Sequence, residues 1–313
     1  MRLGLSAAAL LGFVLITVPA WAQTHPLRGP EPADGAVEPD QPVRPQVPTL
    51  VPRAPQQPAP QQPPPPPFTL TPQEEAQVDR ALTLWEQRNR DIKTFDCRFK
   101  RWIYDVVFGP PNQPKFVDVG VIKYAAPDCG MFRVETTDKN GKDVKIEDAR
   151  AEHWISDGKS IFEFNHGKKQ LIEHKLPPEL QGKAIADSPL PFLFGAGSQK
   201  LKQRYFIRLI TPPEVKDQIW LKAYPRFQQD AANFHHAEFI IKTEGMSPFA
   251  LKLIQPNEKD YTVYQFYDIV VNDAFRLFKG NPFQAVVPWD WQKIVEEPPP
   301  AAQARRPPDD GQR

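Results

Sequence analysis

Gly120–Glu135 reads GVIKYAAPDCGMFRVE, and a polar Gly-Lys loop joins it to His153–Asn165, HWISDGKSIFEFN. Apolar and polar side chains alternate through both stretches. The pairs Pro127-Asp128, Asn140-Gly141 and Asp157-Gly158 fall at the points where a chain reverses between antiparallel strands. A large antiparallel sheet with little helix to cover it must either pack on a second sheet or curl around something. The apolar side chains favour curling around something apolar.

Moving towards the N-terminus, the period of two continues to Thr94. Phe95, Cys97, Phe99 and Ile103 share one face, interrupted by Arg101, while Asp96, Arg98 and Lys100 share the other. Before Thr94 the period becomes helical, with Val78, Ala81, Leu82, Trp85 and Ile92 forming one apolar stripe. Thr71-Pro72-Gln73-Glu74 opens this helix: Thr as N-cap, Pro in the first turn, and Glu placed to close a capping box.

Moving towards the C-terminus, further strands are expected at Lys169–His174, Arg204–Ile210, Gln218–Tyr224, Ala237–Thr243, Phe249–Gln255 and Thr262–Val271. Asp187–Gly195, DSPLPFLFG, breaks the alternation. Its Leu190, Phe192, Leu193 and Phe194 beside two prolines suit a short helix or an irregular lid. The expected fold is mainly β (α+β): a strongly bent antiparallel half-barrel of about 10–11 strands, with two or three helices covering its concave face.

Residues 1–22 read as a secretory signal: Arg2, an apolar Leu5–Val18 stretch and the cleavage pattern Ala20-Trp21-Ala22. That stretch is shorter than the ~20 residues of a membrane-spanning helix, so export to the periplasm is expected, with an uncleaved anchor as the alternative. Residues 23–70 form a Pro-rich linker; sixteen of the forty-five residues from Gln23 to Pro67 are proline, a composition that stays extended because it cannot bury enough apolar surface. Residues 71–295 form one domain, and 296–313 a second polar, Pro-rich tail. The net charge of +1 with both signs interspersed gives no electrostatic case for nucleic acid and only a weak one for an anionic membrane surface.

Cys97 and Cys129 fall on the first and third strands of a meander, about 9.6 Å apart with a strand between them. An oxidising compartment favours a disulfide between them, whereas this spacing, beyond the ~7 Å Cα separation of a disulfide, argues against it. No nucleotide, metalloprotease or hydrolase motif is present, so no catalytic residue, metal or cofactor is expected. His235-His236 are neighbours that a strand turns to opposite faces. Asp187, Asp230 and Glu238 match no acid–base spacing.

The helix followed by Phe95-x-x-x-Phe99, Gly120-x-x-x-Tyr124 leading to Pro127 and Phe132-Arg133, the Ser156-Asp157-Gly158-Lys159 turn and Ser188-Pro189-Leu190 together resemble LolA, the periplasmic lipoprotein carrier family. The motifs near Trp85 (WEQR), PLPFLFG, and YPRFQQDAANF (Tyr224–Phe234) are also similar to an uncharacterised LolA-like family of planctomycetes. Ala126 stands where the carriers place an arginine, and so lacks the guanidinium of their latch.

The resemblance implies an apolar cavity for acyl chains, lined by Trp85, Phe95, Phe99, Ile103, Ile122, Tyr124, Phe132, Val134, Phe162, Phe164, Leu190, Phe192 and Phe194. From the residues alone, a packed core is an equal reading. Arg133 and Arg204 are candidates for a lipid headgroup or for surface ion pairs. The expected partners are the acyl chains of a lipid or lipoprotein, bound by a monomer. The alternative is a sensor or scaffold that binds an envelope protein.

Overall fold

The computed structural model describes residues 65–182, 197–274 and 280–298. The signal, most of the linker, nearly all of the tail and the Asp187–Gly195 segment, with Leu190, Phe192 and Phe194, lie outside the described residues.

Helix α1 (Pro72–Asn89) begins as its sequence dictates. Thr71 Oγ1 accepts from the Glu74 amide at 3.3 Å, and the Glu74 carboxylate accepts from the Thr71 amide at 2.8 Å. The two bonds satisfy donors that a helix start otherwise leaves open. Two short helices follow later, α2 (Ser198–Arg204) and α3 (Gln228–Ala231).

Thirteen strands among the described residues form one open, curled sheet. They are β1 (Thr94–Tyr104), β2 (Phe116–Ala125), β3 (Cys129–Lys139), β4 (Lys142–Lys145), β5 (His153–Asp157), β6 (Ser160–Asn165), β7 (Gln170–Lys175), β8 (Tyr205–Leu209), β9 (Gln218–Pro225), β10 (His236–Lys242), β11 (Ser247–Ile254), β12 (Tyr261–Val271) and β13 (Gln292–Glu296). The order is 13-7-6-5-3-2-1-12-11-10-9-8, with β4 paired to β3 alongside. Neighbours run antiparallel except β13, which lies parallel to β7. The count exceeds the expected ten or eleven because β4 and β13 are real strands: β4 extends the β3 hairpin through the polar loop, and β13 adds a short, mostly exposed edge.

The two faces of the sheet differ. Phe95, Cys97, Phe99, Ile122, Phe132, Val134, Trp154, Phe239, Leu251, Tyr264 and Phe266 are buried together with Val78, Leu82 and Trp85 of α1. Met131, Ile155, Phe162, Phe164, Leu171 and Phe283 form a separate, smaller cluster. Met131 precedes Phe132, and Ile155 pairs with both Met131 and Phe162, so strand alternation places the second cluster on the opposite face. Cys97 belongs to the first face and Cys129 packs on the second, with β2 between their strands; both are thiols.

Gly120 shapes the first face. A Cβ at that position would meet the Phe99 ring at 2.5 Å and the Arg133 carbonyl oxygen at 2.2 Å. The missing side chain lets Phe99 lie flat across β2 and stack on Phe132, centroids 5.0 Å apart.

Candidate functional site

The helix-covered face is a continuous apolar surface. Twelve strands spaced ~4.8 Å apart make the sheet roughly 50 Å wide. Helix α1 is about 27 Å long and ~10 Å across, so among the described residues it spans part of that width, and the cluster beneath is buried throughout. Its central contact is Trp85, 1 % exposed, whose ring lies 5.1 Å from Phe239. The indole N–H of Trp85 is buried and has no hydrogen-bond acceptor among the described residues. An unmet donor of this kind costs about 1–3 kcal/mol, so the helix sits on this face at a penalty.

The polar bonds that hold α1 down lie at the surface or partly buried. Ser198 donates to Glu86 from its amide at 3.0 Å and its hydroxyl at 2.7 Å. Those two bonds hold the Glu86 carboxyl below its usual pKa. Lys202 reaches Asp79 at 2.6 Å, and Arg88 Nε donates to the Gly245 carbonyl at 3.3 Å. Exposed pairs of this type contribute little each.

One end of the face is closed by charge. Arg101, 1 % exposed, occupies an inward position of β1 and donates to Asp118 (Nε 3.1 Å, Nη2 3.0 Å) and to Glu152 (Nη1 and Nη2, both 2.8 Å). Arg150 adds a second guanidinium to Asp118 at 2.9 Å and lies 3.6 Å from the Phe116 ring. Burial alone would lower the Arg101 pKa; Glu152, Tyr264 and Asp118 outweigh it and hold the group firmly charged. The sequence carried a signal for this network, since an arginine in an apolar register requires buried carboxylates.

Several expected site residues meet on this face. Trp85, Phe95, Phe99, Ile122, Phe132 and Val134 are in the cluster, and Tyr124 packs against it. Ile103 shares the face but lies beyond Arg101 and outside the cluster.

One expectation is corrected, and the two arginines take the ion-pair alternative. Phe162 and Phe164 point to the opposite face, where Phe164 stacks on His153 at 4.0 Å. Ile161 takes the inward position instead, because pairing Ile155 with Phe162 sets the register of β6. Arg133 shares the outward register of Met131 and is ion-paired with Glu135, away from the aromatic face. Arg204 grips Asp230 with two nitrogens, Nε at 2.8 Å and Nη2 at 2.6 Å, tying α2 to α3. Glu238 is likewise engaged by Lys222 at 3.1 Å.

Two cavities flank the aromatic cluster. One of about 270 Å³ lies where β4 and β5 diverge from β3, bordered by Arg133, Val134, Lys145, Ile146 and His166. The other, about 370 Å³, lies at the C-terminal end of α1, between Asn89, Ile92, Phe95, Met246, Ile269 and Asn272. Ligand pockets run from roughly 300 to 1,000 Å³, so both fall at or below the small end. Trp85 and its aromatic neighbours fill the centre of the face.

Among the described residues no three His, Cys, Asp or Glu converge to hold a metal, and no helix is long and apolar enough to cross a membrane.

No protein-family model and no curated protein matches the chain. Solved structures do align with it. An uncharacterised conserved protein from Thermus thermophilus aligns over 69 % of this chain and 98 % of its own, at 10 % identity and TM-score 0.39. A LolA superfamily protein from Nitrosomonas europaea aligns over 65 % and 99 %, at 8 % identity and TM-score 0.32. The Mycobacterium tuberculosis lipoprotein LppX aligns over 64 % and 97 %, at 9 % identity and TM-score 0.33. Likenesses at this level are loose and concern the fold alone.

Proposed function

We propose that the chain is an exported, non-enzymatic binding protein that shelters the acyl chain of a lipid or lipoprotein on its helix-covered face, with α1 as a displaceable cover. Residues 1–22 direct export, and the Pro-rich residues 23–70 act as an extended spacer ahead of the domain. Trp85 carries the reading. It packs into an aromatic surface built from Phe95, Phe99, Phe132, Phe239 and Tyr264, yet its own N–H has no partner among the described residues.

Magnitudes favour the exchange. Lifting α1 exposes Val78, Leu82 and Trp85 at about 1.5–3 kcal/mol each, roughly 5–9 kcal/mol in all. An acyl chain that buries about a dozen methylenes on the same face returns roughly 10 kcal/mol at ~0.8 kcal/mol per methylene. The unmet indole donor and the weak surface bonds of α1 tilt the balance further towards the ligand. The Arg101 network sets the depth of the site at one end and leaves the apolar floor from Phe95 to Phe132 for the chain.

The test is lipid extraction and mass spectrometry on the exported chain purified without detergent. Acyl lipid close to one per chain is expected, and exchanging it should alter the fluorescence of Trp85. A lipid-free preparation that also fails to take up a long-chain fatty acid overturns the reading. A second reading, an envelope peptide added as a strand, is favoured by the two open sheet edges, β8 and β13.

A further inference from the structure

The loop between β1 and β2 presents three consecutive apolar side chains to solvent: Val106, Val107 and Phe108, 60 %, 62 % and 82 % exposed. This turn is stiff. Asp105 Oδ1 accepts from the amides of Val107 at 3.2 Å and Phe108 at 2.8 Å, and the Asp105 carbonyl accepts from Gly109 at 2.8 Å. Asp260 Oδ1, from the neighbouring β11–β12 loop, takes the Val106 amide at 2.8 Å. A Cβ at Gly109 would lie 2.3 Å from the Asp105 carbonyl oxygen, so the turn closes only around a glycine. Lys115 fixes the other Asp105 oxygen at 2.7 Å. A turn tied this firmly could have turned its apolar side chains inward; it holds all three outward.

The surroundings of the tip indicate what it meets. Below it, Tyr104 and Tyr261 stack at 4.3 Å, and Trp102 lies beside them on β1. Lys252 rests over Tyr261 at 4.7 Å, Lys100 over Trp102 at 5.7 Å, and Lys115 lies 6.0 Å from the Phe108 ring. Of the nearby acids, Asp105 is held by Lys115 and backbone amides, Asp260 by the Val106 amide and Asn257, and Glu238 chiefly by Lys222 at 3.1 Å with Lys252 at 4.0 Å; Glu258 lies 3.7 Å from His235. The order from the tip inward is therefore apolar side chains, then an aromatic layer, then lysine ammonium groups on long stems. This sequence of chemistries matches the acyl, interfacial and headgroup layers of a lipid bilayer. A pocket on a protein partner would not need the graded rim.

We infer that Val106, Val107 and Phe108 form a membrane-docking tip that inserts into the outer acyl layer of a bilayer, while Lys100 and Lys252 lie among the lipid phosphates. The inference goes beyond the acyl-chain reading and stands without it, since the tip lies past the Arg101 network at the other end of β1 from Phe95.

The exported chain is tested by co-sedimentation with phosphatidylcholine–phosphatidylglycerol vesicles of roughly three to one composition. Wild-type protein is expected to partition onto the vesicles, and most of that binding should survive high salt. The double variant Val107→Asp/Phe108→Asp should lose roughly tenfold or more of it, with unchanged thermal unfolding. In a second variant, Phe108→Trp, tryptophan emission should shift to the blue on vesicle addition and be quenched by brominated acyl chains. Equal partitioning of wild type and the aspartate variant overturns the proposal. So does wild-type binding abolished by salt, which would assign the attraction to surface charge alone. Tip-dependent self-association without vesicle binding also overturns it and makes the tip a protein contact. Lipid occupancy of the purified chain should not change in the aspartate variant, so failure here is distinguishable from failure of the acyl-chain reading.

Discussion

The two faces of one sheet are built by different rules. The helix-covered face carries a broad aromatic layer, one helix pressed on it, and a buried ion network at its end. The opposite face carries six buried apolar residues and a stack of His153 on Phe164, with Trp291 packed against the cluster and Val286, Val287 and Trp289 exposed. Alternation supplies both faces from the same strands, so a one-position difference in reading assigns a residue to the wrong side. The comparison teaches that the first face is large and buried under its own aromatic side chains and α1, whereas the second is small. The first offers the larger apolar area.

Breaking the ion network should have the largest effect. Arg101→Ala leaves Asp118, 0 % exposed, beside Glu152 with only Arg150 to compensate. A loss of about 3–5 kcal/mol is expected in denaturant unfolding. A loss below ~1 kcal/mol would mean the network is solvated and sets no boundary on the face.

The opposite face should be sharpened by pH. Burial, with Arg133 and His166 nearby, pulls the His153 pKa down to about 3 from an ordinary 6.5. Its Nε2 is buried with no partner. The folded state therefore holds neutral imidazole while the unfolded chain protonates first. The stability contribution is complete above pH 6.5 and is lost as pH falls from 6.5 towards 3, with a slope of up to about 1.4 kcal/mol per pH unit. His153→Gln should flatten that slope in pH-dependent unfolding, and an unchanged slope would assign it to other groups.

A smaller effect is expected at the start of α1. Thr71→Ala removes the cap and should cost ~1 kcal/mol, read as a lower midpoint of thermal unfolding. If α1 is the cover, the same variant should also speed fatty-acid uptake. The smallest change is Trp85→Phe, which deletes the buried donor but also removes three ring atoms from the core. The relief of the donor and the cavity oppose each other, so the net loss should stay at ~1 kcal/mol; a loss of several kcal/mol would mean that the donor contributes no offset.

Much of the sheet was legible in the sequence because alternation and turn pairs are local signals. Thr71 to Glu74 marked the helix start, and Asp157-Gly158 marked a real turn, with Gly158 at φ 86°. The faces of β1 and β2 were also readable, since Phe95, Phe99, Ile122 and Tyr124 follow one period. In β6 the signal failed. SIFEFN is apolar on both sides, so Ile161 and Phe162 compete for the inward position, and only pairing with β5 decides between them. Strand β13 was missed because QKIVE is short and mostly exposed, and its partner β7 is more than a hundred residues away. Arg101 looked like an interruption of an apolar run; its partners come from β2 and from the loop before β5, a convergence that no local period encodes.

Hydrogen–deuterium exchange on the exported chain, with and without a long-chain fatty acid, tests the central claim most directly. Fatty acid should change exchange across Pro72–Asn89 and in the strands beneath it, leaving the edge pair Gln170–Lys175 and Gln292–Glu296 as it was. No change over α1, or a change confined to that edge pair, would contradict it.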